Sequence, residues 1–572
     1  MIFLFLLALT MTSRIGKVRS ILDDSTLLIE LPRLGTLQGS TTVNAFSGRQ
    51  IVQFLGIKYA ETTSGEHRFK PPRKALPWKG TRNVTQHGLP CPQLKLISQF
   101  PVSLADVEDC LTLSVYTKLL TKIPVMVFIH GGGFYQGSAA NQTAELLLEK
   151  NVVLVVVQYR LGPLGFASLK TEGMPGNVGL MDIKMALEWV QDNIAQFGGD
   201  PDNVTLFGQS AGAAAISALM YSPQVPAKLF HKVILQSGAS SAPWVWDKDP
   251  TEHVRDIAAI AGCDPSAGKG RKIEMPLREA ERCFRRLDVW TLLRSFDEHK
   301  THTFESKSLM DVGGNRLTVG DYHGFLPQTP WELIKEKRIP RNVPMMAGVV
   351  KHEGTFLLTS IYDILKRKKL LDDPNFVKYE MLETINKLLG IDDPTGMLTG
   401  YQIKSLFTLS ELSSGKFEEM TDGLTDLAGS MLVKAPLLRE AQANGIVNPN
   451  KTFLYSFDYR GEQTRFGYGA DTSHYPFDGG VHHSDDLLYL FPYPPGQPEL
   501  NEDDARMSRL MVDLWTSFAT NGVPRSEALG IEWEPMREYA GPYLHIDKNP
   551  RLGSSFYDEF SVASDEKKAK MQ

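Results

Sequence analysis

A serine set between two glycines, where one apolar run meets another, is the first place at which this chain could do chemistry. The stretch is Asn203-Val204-Thr205-Leu206-Phe207-Gly208-Gln209-Ser210-Ala211-Gly212, followed by an alanine-rich run to Met220. Val204 to Phe207 have the β-branched and apolar character of a short buried strand, and Ala213 to Ile216 with Leu219 and Met220 that of a buried helix. A strand that turns directly into a helix must bend tightly, and Gly208 and Gly212 remove the side chains that would hold the two elements apart. Ser210 then stands at the tip of the bend with its hydroxyl toward a cleft. The amide of Ala211, at the helix N-terminus, faces any negative charge that develops there. This arrangement suits a nucleophile. The pattern is short, however, and chance occurrence is the alternative unless a base, an acid and further amide donors exist elsewhere in the chain.

The further donors are suggested by Pro124-Val125-Met126-Val127-Phe128-Ile129-His130, a near-continuous apolar strand that runs into Gly131-Gly132-Gly133-Phe134. Three glycines at the end of a buried strand leave backbone amides uncovered, and Gly132 and Gly133 are expected to complete an oxyanion hole with Ala211; a flexible turn is the alternative. A second apolar strand, Val152 to Val157, leads to a glycine-rich loop and an amphipathic helix from about Leu180 to Ile194, before the nucleophile strand begins. Strands alternating with helices in this way build a mostly parallel sheet covered on both faces.

Four separated motifs carry a resemblance. His130-Gly131-Gly132-Gly133-Phe134, Tyr159-Arg160-Leu161-Gly162-Pro163-Leu164-Gly165-Phe166, Pro175-Gly176-Asn177-Val178-Gly179-Leu180 and Gly208-Gln209-Ser210-Ala211-Gly212 resemble, in order, the type-B carboxylesterases, a family that includes insect esterases, cholinesterases and inactive neuroligin-like adhesion proteins. The likeness runs from about residue 33 to about residue 560. It implies the α/β-hydrolase fold, an α/β architecture with a mostly parallel central sheet, helices on both faces and large helical insertions. Serine at neutral pH needs a base to take its proton, and in this fold the chain order is serine, acid, histidine. Val349-Val350-Lys351-His352-Glu353-Gly354 resembles the acid motif and makes Glu353 the orienting carboxylate, with His352 a neighbour that projects elsewhere. Gly480-Val481-His482-His483-Ser484-Asp485-Asp486 holds the base. The family spacing selects His483 and leaves His482 as a cleft-rim residue.

The resemblance implies a serine carboxylic-ester hydrolase working through an acyl-enzyme, with no cofactor and no metal. Choline esters are disfavoured, because the loop from Cys91 to Cys110 contains Phe100 but no tryptophan, and Gln209 stands where cholinesterases have glutamate. Gln209 and the Arg68-Phe69 pair resemble juvenile hormone esterases. Asp182-Ile183 departs from an Asp-Gln pair of that subgroup. A hydrophobic methyl ester such as a sesquiterpenoid is the leading substrate, beside other lipophilic esters. A catalytically silent adhesion or signalling protein on the same fold, or a carrier of lipophilic ligands, is the rival reading.

Composition limits the remainder. An apolar fraction of 42% with 22% charged residues over 572 residues is that of an ordinary globular protein, and a net charge of -5 gives no reason to expect nucleic acid. Residues 1–13 have the length of a signal-peptide core, and 14–572 are expected to form a single domain. The charged C-terminal end, Ser564 to Gln572, carries no anchor or retention signal. Four cysteines permit three connectivities, of which Cys91 with Cys110 and Cys263 with Cys283 closes the shortest loops. Acceptor motifs at Asn83, Asn141 and Asn450 agree with secretion as a glycoprotein, and Asn203 is the least reachable of its kind. Arg68 and Glu108 are expected to form an architectural ion pair. The region from Gly262 to Asp311 reads as charged and irregular, 363–438 as helical, and the helix around Met507 to Phe518 as core or a dimer contact.

Overall fold

The computed structural model describes residues 27–95, 106–263, 275–336, 338, 341–493, 500–537 and 539–571. The expectations for residues 1–13 and for Phe100 lie outside the described residues. In chain order the strands are β1 (Leu28–Leu31), β2 (Gly35–Gln38), β3 (Ser40–Val43), β4 (Gln50–Lys58), β5 (Thr81–Asn83), β6 (Thr112–Thr117) and β7 (Ile123–Ile129). They continue with β8 (Val153–Val157), β9 (Gly199–Gln209), β10 (Lys232–Gln236), β11 (Met345–Val350), β12 (Thr452–Phe457), β13 (Tyr543–Ile546) and β14 (Arg551–Gly553). β1, β2 and β5 form a small separate sheet. The other eleven form one sheet in the order β14-β13-β12-β11-β10-β9-β7-β8-β6-β4-β3, parallel from β8 through β13 and antiparallel at both margins. This is the architecture of an α/β-hydrolase.

Side chains on a strand alternate between faces, and β7 shows what that does. Val125, Val127 and Ile129 enter one core with the helices α2 (Val178–Asn193) and α3 (Ala211–Tyr221), while Met126 and Phe128 enter a second core with the helix Glu502–Asn521. A strand buried on both faces has no polar side to show, which is why its sequence runs apolar without a break.

Several boundaries differ from expectation. The nucleophile strand spans eleven residues instead of four, because Gly199 already pairs with Ile123 of β7 and the polar residues between it and Val204 continue the strand across a register shift. The stretch read as irregular between Gly262 and Asp311 contains the helices Leu277–Arg286 and Val289–Ser306; apolar residues such as Leu292, Leu293 and Phe296 drive their burial and were masked by the surrounding charge. In the helix Glu502–Asn521, Leu510, Met511, Leu514 and Phe518 are buried within the chain and belong to its core.

The sequence-local cysteine pairs, Cys91 with Cys110 and Cys263 with Cys283, are bridged. Arg68 and Glu108 form a buried bidentate pair, and Arg68 Nη1 also donates to the Leu287 carbonyl at 2.6 Å, tying the first disulfide loop to the helical insertion. Arg160 similarly holds Asp182 with Nε to Oδ2 at 2.8 Å and Nη2 to Oδ1 at 2.6 Å. Asp182 is thus a structural anchor for α2.

Candidate active site

The segments that follow the carboxyl ends of β7, β9, β11 and β12 supply the candidate side chains, as expected of an open α/β sheet. After β9 the chain turns at Ser210 with φ 57° and ψ -126°, a conformation costly for a residue with a side chain and typical of a functional bend. The turn fits because neighbouring backbone takes up the space. A Cβ on Gly208 would lie 2.7 Å, and one on Gly212 2.0 Å, from the Ile129 carbonyl oxygen. The Ser210 amide donates to the Gln236 carbonyl at 2.8 Å, which fastens the bend to β10.

The glycine loop after β7 is held by its own carbonyls. His130 Nδ1 lies 2.9 Å from the Gly131 carbonyl oxygen, and the Gly132 carbonyl accepts from the amides of Tyr135 and Gln136 at 3.1 and 3.0 Å. Each peptide is planar, so fixing one carbonyl fixes the N–H of the next residue. The two contacts therefore set the directions of the Gly132 and Gly133 amides. Burial pushes the His130 imidazole down to about 4, so the ring is neutral at physiological pH and must carry its proton on Nδ1 to serve Gly131. Among the described residues, the amides of Gly132, Gly133 and Ala211 donate no hydrogen bond.

Glu353 is fully buried in the turn after β11, where Oε1 accepts the Val350 amide at 2.9 Å. Its Oε2 lies 2.5 Å from His483 Nδ1, and the Phe356 ring stacks on the imidazole with centroids 4.6 Å apart. The adjacent histidines are engaged elsewhere. His352 Nδ1 accepts the Val481 amide at 2.9 Å, so it projects away from Ser210 as expected. His482 is not at the cleft rim: it is 1% exposed, with Nδ1 2.9 Å from the His483 carbonyl. Burial lowers both rings to about 3, and they stay neutral.

Ser210 and His483 line one cavity of about 970 Å³, together with Gly131 to Gly133 and apolar walls that include Trp244, Phe304, Phe356 and Leu432. A broader depression of about 1170 Å³ along Lys122, Asp513 and Trp533 holds none of these residues. No hydrogen bond joins Ser210 Oγ to the imidazole among the described residues. Nε2 of His483 is met instead by Gln209 Nε2, at 3.0 Å. Sequence reasoning treated Gln209 as a subgroup marker and missed this contact. It also missed Phe356, which follows the acid by three residues, and Arg465, which lines the cavity with no local motif to reveal it.

Asp458, His545 and Glu559 are the one group among the described residues whose ligand atoms lie within 4.8 Å of one another. They are engaged internally, His545 Nδ1 with Asp458 Oδ2 at 2.7 Å and Glu559 Oε1 with the Tyr543 hydroxyl at 2.9 Å, and none lines the cavity. Of the acceptor asparagines, Asn83, Asn141 and Asn450 are exposed, while Asn203 is engaged by Lys232 and by the Thr520 carbonyl. No helix among the described residues is long and apolar enough to cross a membrane.

The Carboxylesterase family model matches residues 25–567. Glutactin of Drosophila melanogaster is 32% identical over 93% of this chain and 51% of its own length, so the chain spans about half of that relative. Juvenile hormone esterase of Tribolium castaneum is 31% identical over 92% of this chain and 90% of its own. Liver carboxylesterase B-1 of Rattus norvegicus is 30% identical over 90% and 88% respectively.

Proposed function

Because the chain belongs to the carboxylesterase family, we propose that it hydrolyses hydrophobic carboxylic esters through an acyl-enzyme on Ser210. The observation that carries this reading is the 2.5 Å contact between His483 Nδ1 and Glu353 Oε2 in the wall of the cavity that Ser210 enters. In the neutral ring Nδ1 donates to the carboxylate, which leaves a lone pair on Nε2 for the serine proton. Ser210 attacks the ester carbonyl as His483 takes that proton, and Glu353 steadies the imidazolium that forms. The amides of Gly132, Gly133 and Ala211 receive the oxyanion, each worth about 3 kcal/mol in the transition state. His483 then protonates the departing alcohol. Water attacks the acyl-enzyme by the same route, releasing the acid and restoring Ser210.

The substrate reading is a lipophilic ester, with a sesquiterpenoid methyl ester of the juvenile hormone kind as its sharpest form. The apolar cavity walls and the Tribolium castaneum relative support it. Comparing kcat/KM for a juvenile hormone with that for short naphthyl esters tests it, and preference for the naphthyl esters counts against the hormone. Secretion as a glycoprotein is part of the same reading, supported by the bridged cysteines and the exposed acceptor asparagines.

One observation favours the catalytically silent alternative: Gln209 occupies Nε2 of His483. A glutamine side chain has free rotors, and substrate can displace its amide. A fluorophosphonate probe separates the two readings, since a silent protein with the same side chains would leave the probe unreacted.

A further inference from the structure

Arg465 is 9% exposed and lines the cavity beside His483. Its guanidinium makes no hydrogen bond among the described residues, and Nε and Nη2 are both enclosed without an acceptor. The Tyr493 ring lies against it, 4.6 Å from the guanidinium carbon. A buried guanidinium stays charged, and leaving it unpaired is costly, so its five donors call for an explanation.

The architectural explanation is that Arg465 offsets the nearby carboxyls of Asp485 and Asp486. Their charges do act on Arg465, but its hydrogen-bond donors are not taken up by them. Asp485 is served by the backbone amides of Arg465 and His482, at 2.6 and 2.8 Å, and by the Thr464 hydroxyl at 3.1 Å. Asp486 accepts from Gln236 Nε2 at 2.8 Å. Neither carboxylate takes a hydrogen bond from the guanidinium. Glu305 is paired with Arg367, and Asp363 accepts from the Tyr475 hydroxyl, whereas the buried Arg316 bonds only to main-chain carbonyls. A buried cation that no carboxylate hydrogen-bonds among the described residues thus lines the ester cavity.

We propose that Arg465 is a substrate-recognition residue whose guanidinium receives a carboxylate carried by the ester, so that the preferred substrates are lipophilic esters with an anionic group remote from the scissile bond. A guanidinium N–H makes a charge-assisted hydrogen bond to a carboxylate, Nη1 is the one nitrogen of the three that is not enclosed, and the apolar walls accommodate the chain between the two groups. This rests on the esterase reading and narrows its substrate class. Tyr468 lines the same wall, and its hydroxyl donates to the His483 carbonyl at 3.3 Å.

The test uses the full chain and a series of ω-carboxyacyl nitrophenyl esters of increasing length, each beside its methyl-terminated isostere. At one chain length, kcat/KM for the carboxylated ester should exceed that for the isostere by about tenfold or more. Arg465→Gln should lower the carboxylated ester about tenfold more than the isostere, and Arg465→Lys, which keeps the charge without the guanidinium, should fall between. Calorimetric binding of the carboxylated ester to Ser210→Ala, lost when Arg465→Gln is added, gives a readout that needs no turnover. Absence of any preference in the native enzyme overturns the proposal, and so does an equal loss for both esters in Arg465→Gln with a lowered Tm. If Arg465→Gln does not fold, the native preference and the Arg465→Lys ratio decide. Labelling of Ser210 by a fluorophosphonate without a carboxylate preference defeats this proposal alone; absence of labelling defeats the esterase reading.

Discussion

The side-chain amide nitrogen of Gln209 lies 3.0 Å from Nε2 of His483, the atom that must take the proton of Ser210. Nδ1 of the neutral ring is committed to Glu353, so Gln209 donates to the same lone pair that the serine needs. The nucleophile's own neighbour therefore competes with it for the base.

Removing that donor should not slow the serine. A neutral hydrogen bond is worth about 1 kcal/mol net, so Gln209→Met should be acylated by a fluorophosphonate at an equal rate or up to about fivefold faster. Stopped-flow labelling measures this, and a slowing of more than tenfold would show that Gln209 holds the base productively. Gln209→Glu places a carboxylate beside the ring and favours its charged form. The acid limb of the kcat/KM profile should then move to higher pH.

Glu353→Gln keeps the size of the side chain and an oxygen for the Val350 amide, but it can offer Nδ1 an N–H and select the wrong tautomer. We expect kcat to fall by about three to four orders of magnitude with little change in Tm. Steady-state kinetics beside a melting curve checks this. A loss of activity that tracks unfolding would make Glu353 a structural carboxylate only.

At Gly132, φ is +111°, and a Cβ would lie 2.1 Å from the Gln136 carbonyl oxygen. Gly132→Ala should turn the loop and misdirect both amides, lowering kcat by about a hundredfold to a thousandfold. Circular dichroism establishes whether the variant is folded, and near-native kcat in a folded variant would remove Gly132 from the oxyanion hole.

How much of this could be read in advance depended on range. The bend at Ser210 and the loop at Gly132 are local, since strand, glycine and helix lie within a few residues of each other. Glu353 and His483 come from distant segments, and only the resemblance joined them to Ser210. His482 shows the limit of spacing arguments. Adjacent histidines must point in different directions, and both are buried, but only His483 lines the cavity, while the His482 amide is held by the Asp485 carboxyl within the turn. Arg465 was unreadable for a related reason, because Tyr493 and the turn at Asp485 enclose it and no motif joins them to it in the sequence.

Two buried acids give stability a pH dependence of definite sign. Burial raises Asp485 to about 7 and Asp486 to about 6. Unfolded, both ionise near pH 4, so above that pH the folded chain binds more protons than the unfolded one. The stability they contribute in acid is lost as pH rises through these raised values. Asp486→Asn cannot ionise and should gain stability relative to the native chain between pH 4 and pH 7, by up to about 3 kcal/mol. Unfolding by denaturant across that range measures the difference, and a gap independent of pH would contradict the assignment.

The account depends most on a reactive hydroxyl at Ser210, and labelling with a fluorophosphonate followed by mass spectrometry of the modified peptide tests it directly. The predicted result is a single adduct on Ser210, formed at a rate that falls as His483 becomes protonated and absent in Ser210→Ala. An unlabelled, folded native protein, or an adduct that persists in Ser210→Ala, would contradict it.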